Sequence, residues 1–311
     1  MDNMDNEIIY EKKYNRINNP IKFNNPKKSN NPKKYTNMTY KILIPARIPL
    51  IRIEDFSLNI GIEIEVCTTR KSEKNINEKK KLKYFINTTD ESIKCKDGFN
   101  AREYIIKGYI ENKNLNMIYD NINSINKNSI QCKDDSCGLH FHISSNNILL
   151  SIQGLFFLIN FILNWNDKYQ TEFEIKFYYK KYVGKSYSPP LKLLEEDIKL
   201  LKEKKKELIN DFKKNKKINL LFFLKKIMYI TRTKENNEIF NENSYNVYFS
   251  SRRAYLVVIE DTKFIHFEYR DLLPWALKST IKKFPEIVKE KYLETIEETN
   301  KEIEEINKNL Y

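Results

Sequence analysis

Glycine is scarce in this chain, six residues in 311, and none falls in a GxGxxG or GxxxxGK(S/T) pattern. A Rossmann dinucleotide site or a P-loop is therefore excluded, because both need glycine to let backbone N–H groups close on phosphate. Histidine is rarer still, at three residues. The opening stretch, MDNMDNEIIYEKKYN, has no basic segment followed by an apolar one, so no signal peptide is predicted. Cysteine is limited to Cys67, Cys95, Cys132 and Cys137. With no mark of secretion, these read as reduced thiols in an intracellular, cytoplasmic protein. One uncharged run has membrane-spanning length, ILLSIQGLFFLINFILNW at 148–165. Its polar positions Gln153, Asn160 and Asn164 continue to Asp167 along one helical face, which predicts an amphipathic helix laid against a core and no membrane partner.

Asn, Lys, Ile and Tyr are abundant instead. Basic residues exceed acidic ones by 55 − 42 = 13, a balance that suits a polyanion partner. The same bias is what coding drift in an A/T-rich genome produces, so the charge alone does not call for nucleic acid. Apolar residues at 41% and aromatics at 13% supply a packed core.

Residues 18–34 repeat Asn-Asn-Pro-x-Lys three times, with almost nothing to bury, and predict a disordered basic arm over 1–39. The body spans 40–278. FSLNIGIEIEVCTTR alternates apolar and polar residues as a half-buried strand does. SEKNINEKKKLK reads as a solvated loop, YFINTTDESI and NAREYIIKGYI as strands, and 112–128 as a helix. HFHIS is a short strand, with Asn146 or Asn147 placed to cap the next helix. A helical insertion covers about 191–230, two strands over 245–272 turn near Asp261, and a C-terminal helix fills 279–311. No βαβ rhythm appears, so the fold class is α+β.

Three strands concentrate the chemistry. Glu63 and Glu65 lie two apart, as do His140 and His142, while His266, Glu268 and Arg270 alternate along a third. Period-2 spacing points each set from one face. Singly, each is an ordinary wet strand face or charge-paired edge. If the strands share a sheet, one face collects carboxylates, imidazoles and a guanidinium, which cannot stay buried without partners. Divalent cations bridging a polyphosphate are the natural partners, and carboxylates with imidazole suit Mg²⁺ or Mn²⁺. Gly61 and Gly138 stand beside these sets, where close backbone approach is expected. A zinc site from Cys132, Cys137, His140 and His142 has suitable ligands but poor spacing, and leaves the three glutamates unused. A metal-dependent nuclease or nucleic-acid binder, with twenty tyrosines for stacking, is the competing class.

In order along the chain, GIEIE, DESI, AREYI, CGLHFHIS and HFEYRDL resemble the signature of the amidoligases, glutamine synthetase-like carboxylate–amine ligases. The resemblance covers roughly residues 56–275. It implies a curved, mainly antiparallel sheet with helices packed on one face, binding ATP and Mg²⁺ or Mn²⁺. By it, Glu65 and Glu103 hold one ion and Glu63, His140 and Glu268 a second. His142 lies near the nucleotide, Arg270 neutralises the transferring phosphoryl group, Arg252 or Arg253 adds a second positive charge, and Asp90 lies near the acceptor substrate. The chain departs from the family at Ile106-Lys107, where Ser-Pro is usual. An eroded, inactive homologue is a further alternative. The implied reaction joins a small-molecule, peptide or protein carboxylate to an amine through an acyl phosphate, which needs charge neutralisation more than a protein nucleophile.

Overall fold

The structure, a computed structural model, describes residues 47–310 apart from 55, 79–81, 83, 92, 112, 131–136, 178–190, 192, 215–217, 232–255, 262 and 273–277. The expected arm, together with Arg252, Arg253 and Cys132, lies outside the described residues. The strands are β1 (Leu58–Thr68), β2 (Phe85–Thr88), β3 (Asn100–Ile106), β4 (Ser129–Ile130), β5 (Leu139–Leu149), β6 (Leu256–Ile259) and β7 (Phe264–Leu272). The helices are α1 (Arg70–Glu78), α2 (Leu115–Lys127), α3 (Ile152–Asn164), α4 (Gln170–Phe177), α5 (Glu195–Lys213), α6 (Leu220–Ile230) and α7 (Lys278–Lys308). A π-helical turn, Trp165–Tyr169, joins α3 to α4. The fold is α+β, as the mixed periodicities predict.

All described strand pairs are antiparallel, in the order β2-β3-β1-β5-β7-β6, with β4 added to β1. Alternation divides each strand between two faces. Ile60, Ile62, Ile64 and Val66 of β1, Phe141 and Ile143 of β5, and Ile265, Phe267 and Tyr269 of β7 are buried on one face. Helices α3 and α7 cover that face: Phe284 stacks on Phe141 at 4.0 Å between ring centres, and Phe161 meets Phe267 at 4.8 Å. The opposite face carries the polar alternates.

Two residues of the polar stripe of α3, Asn160 and Asn164, bond to other helices. Asn160 Nδ2 donates to Thr299 Oγ1 at 3.0 Å and Asn164 Nδ2 to Glu298 Oε2 at 2.7 Å, both on α7. Lys205 of α5 donates to Asn160 Oδ1 at 2.7 Å. A buried amide needs such partners, which explains polar residues in so apolar a helix. Among the described residues no helix is long and apolar enough to cross a membrane. On α7, Asn300 and Asn307 each bond both the N–H and the C=O of one residue, Ile51 and Ile48, clipping that segment to the helix.

Several expectations are corrected. Asn146 and Asn147 lie inside β5, too far before α3 to cap it; Asn146 Oδ1 accepts instead from Asn59 Nδ2. The cap of α3 is Ser151, whose Oγ accepts the Gly154 N–H at 3.1 Å. The lysine-rich stretch after β1 begins as helix α1, started by Thr69 Oγ1 accepting from Ser72 N–H at 3.1 Å. Glu73 then anchors that helix to Thr68, Asn100 and Arg102. The thiol reading fails as well. Cys67 and Cys95 form a disulfide across 28 residues, and Cys137 is also disulfide-bonded. The reduced-thiol argument for an intracellular compartment therefore falls, and Cys137 has no thiolate to offer zinc.

Candidate metal centre

Register decides which side chains meet. In the antiparallel pairings Glu63 stands opposite His140, Gly61 opposite His142, Glu65 opposite Glu103, His142 opposite Glu268 and Ser144 opposite His266. Opposed residues project from the same face, so the polar alternates of four neighbouring strands converge on the face opposite α3 and α7. Between its pairings with Phe141 and Leu139, β7 spends one residue more than β5, which makes room for Arg270 beside Glu268. The guanidinium grips that carboxylate with Nε 2.6 Å from Oε1 and Nη2 2.8 Å from Oε2.

His140 is the centre of the cluster. Its Nδ1 lies 3.0 Å from Glu63 Oε1 and 3.1 Å from Glu268 Oε1, and its Nε2 lies 3.3 Å from Glu65 Oε2. Burial opposes the imidazolium, but Glu65, Glu268 and Glu63 more than offset it and hold the ring's pKa well above the usual value. Gly138 makes the approach possible: a Cβ there would sit 2.5 Å from His140 Nε2. At Gly61 a Cβ would meet only ordinary contacts, 3.5 Å from His142 Cβ, so the expected close approach holds at Gly138 and not at Gly61.

The carboxylates divide by partner. Burial pushes Glu63 up, yet hydrogen bonds from His140 and His142 outweigh it and hold the group well below the usual range. Glu268 is likewise desolvated, but His140 and Arg270 bring it down to about 2. Glu65 has too little compensation, and burial raises it to about 7. Glu103 is raised to about 8 by burial and by the charge of Glu63, to which it also hydrogen-bonds. Among the described residues, the cluster thus holds more carboxylates than His140 and Arg270 neutralise. Two groups of donor atoms lie within 4.8 Å of one another, Glu63–Glu65–His140 and Glu63–His142–Glu268, sharing Glu63.

A second line of groups leads away from it. His142 Nε2 lies 3.0 Å from Glu63 Oε2, and its Nδ1 lies 3.3 Å from His266 Nε2. His266 Nδ1 faces Asp261 Oδ2 at 3.9 Å. Burial, together with the nearby His142, lowers the pKa of His266 to about 4. Asp261 is itself fixed, because its Oδ1 accepts the N–H groups of Lys263 and Phe264 at 2.7 and 3.1 Å.

The loop between β2 and β3 completes the edge. The Cys67–Cys95 disulfide ties it to β1, and Ile93 packs with Cys67 and Cys137. Asp90, on that loop, is close enough for its charge to raise both Glu65 and Glu103. Ile105, opposite Glu63, and Ile86, opposite Ile105 and 49% exposed, continue the same face as an apolar shelf.

Of the expected residues, the structure brings together Glu63, Glu65, His140, His142, Glu268 and Arg270, with Glu103 joined through Glu63 and Asp90 within electrostatic reach. Asp261 was visible in the sequence only as a turn residue, and His266 only as a third polar alternate on its strand. Nothing in the cysteine spacing announced the disulfide. No protein-family model matches the chain, and no curated protein or solved structure matches it either.

Proposed function

We propose that this chain is an ATP-dependent carboxylate–amine ligase of the glutamine synthetase-like type, using Mg²⁺ or Mn²⁺. The observation that carries the reading is the convergence of Glu63, Glu65, Glu103, Glu268, His140 and Arg270 on one face of an antiparallel sheet, opposite α3 and α7. The donor set fits a divalent cation on chemical grounds. It is oxygen-rich with imidazole, suited to Mg²⁺ or Mn²⁺, and it crowds carboxylates beyond what His140 and Arg270 neutralise. Glu65 and Glu103 would hold one ion and Glu63, His140 and Glu268 another. When bound, the ions supply positive charge to the phosphate oxygens and to the charge that develops during transfer.

The chain's own groups then have definite tasks. Arg270, fixed by its two contacts to Glu268, presents a guanidinium that cannot lose its charge. It neutralises the γ-phosphoryl group while an oxygen of the donor carboxylate attacks phosphorus and the bond to ADP breaks. The product is an acyl phosphate. The amine nitrogen next attacks the acyl carbon, phosphate leaves with its bonding electrons, and the nitrogen releases a proton to give the amide. Asp90 stands at the edge where a cationic amine would approach, and the Ile86–Ile105 shelf gives the body of a substrate an apolar rest.

The test is ADP release from ATP with Mg²⁺, pooled carboxylates and hydroxylamine as a generic amine. Glu268→Ala and Arg270→Ala should each reduce ADP formation on the order of 100-fold or more, with unchanged circular dichroism. Wild-type turnover in either variant would contradict the site.

A further inference from the structure

The Asp261–His266–His142 line ends in an unusual pairing. Asp261 cannot turn away, because its Oδ1 is engaged by two backbone N–H groups and Oδ2 is left facing His266 Nδ1 at 3.9 Å. A carboxylate at that distance favours the tautomer with the proton on Nδ1, leaving a lone pair on His266 Nε2. That lone pair, 3.3 Å from His142 Nδ1, requires the proton of His142 to sit on Nδ1. In the unliganded protein His142 Nε2 and Glu63 Oε2, 3.0 Å apart, share a hydrogen-bonding proton. A divalent cation can take the place of that proton, because His142 keeps its Nδ1 proton for His266 Nε2 when Nε2 is deprotonated. Glu268 offers a third donor atom within 4.8 Å of both.

We infer that His266, oriented by Asp261, is a positioning residue that sets the tautomer of His142 and makes its Nε2 a ligand, with Glu63 and Glu268, of a divalent cation. The inference rests on the proposed cation-binding face, and it gives His142 a different task from the nucleotide contact that the family resemblance implies. It follows the general pattern in which a ligating imidazole is fixed by a hydrogen bond at its other nitrogen. His140 and His142 would then contribute one imidazole each.

The test uses Mn²⁺ alone as probe, with binding read from the loss of the free-ion EPR signal and bound imidazole counted from ¹⁴N couplings in pulsed EPR. Wild type should bind Mn²⁺ with couplings from two imidazoles. His266→Ala should weaken binding about 10-fold or more and remove one coupling. Asp261→Asn keeps an oxygen for the turn but points an NH₂ at His266, which reverses both tautomers and should have the same effect in a chain of wild-type stability. His266→Gln, whose amide oxygen reaches the place of Nε2, should restore the second coupling. Two imidazole couplings and wild-type affinity in both His266→Ala and Asp261→Asn would overturn the inference while leaving the cation site standing. No Mn²⁺ binding by wild type would remove the inference and the cation site together.

Discussion

At the scale of single residues, the site depends on one position that carries no side chain. Gly138 allows the imidazole of His140 to lie against the backbone where any Cβ would intrude to 2.5 Å from Nε2. The intruded atom belongs to a side chain and not to the backbone, so the imidazole can give way while the strand keeps its course. Gly138→Ala is therefore expected to leave the fold intact while turning His140 away from Glu63, Glu65 and Glu268. Mn²⁺ titration should show affinity lowered by roughly 10-fold or more, with far-UV circular dichroism unchanged. Unaltered Mn²⁺ affinity would mean that His140 does not organise the cluster. The same residue explains why three buried carboxylates coexist at all: its two nitrogens face Glu63, Glu65 and Glu268 at once.

At the scale of elements, the carboxylate of Glu73 fastens helix α1 to the sheet. Glu73 takes hydrogen bonds from Thr68, Asn100 and Arg102, and the hydrogen bond from Arg102, set against modest burial, lowers its pKa from the usual value. A lowered pKa stabilises the fold above the ordinary carboxylate range and loses that contribution as pH falls through the folded value. Glu73→Gln should therefore cost about 1–3 kcal/mol in urea denaturation at pH 7, and the gap from wild type should close in acid. A constant gap across pH would rule out the ion pair as its source. This helix also shows where sequence reasoning stops. Its lysines suggested a loop, because the partners of Glu73 lie on strands β1 and β3 and are invisible to local periodicity. Strands β1, β5 and β7 were legible for the opposite reason. Their polar residues recur every second position between Ile, Phe and Val, and that pattern has one structural solution. What it could not supply was the register that opposes Glu63 to His140 and His142 to Glu268. The Cys67–Cys95 disulfide was not legible, because its partners stand 28 residues apart and only the fold of β1 and the β2–β3 loop brings them together.

At the scale of the whole molecule, the sheet separates two tasks. One face is an aromatic and aliphatic core under α3 and α7, and the other collects the charged side chains. The core stabilises the chain, and the charged face draws on that stability. Burial and like charge raise Glu65 to about 7 and Glu103 to about 8. Groups held in such an environment for function are commonly a burden on the unliganded fold. The measurement that tests the account most directly is the melting temperature of wild type and Glu65→Gln with ATP and Mn²⁺, together and separately. A ligand at a hundredfold excess over its Kd adds about 2.7 kcal/mol, enough to raise the midpoint by a few degrees. The account predicts a rise in wild type that needs both ATP and Mn²⁺. In Glu65→Gln it predicts an equal or higher midpoint without ligand and no rise with it. A wild-type midpoint that ignores ATP and Mn²⁺, or a Glu65→Gln variant that responds as wild type does, would contradict it.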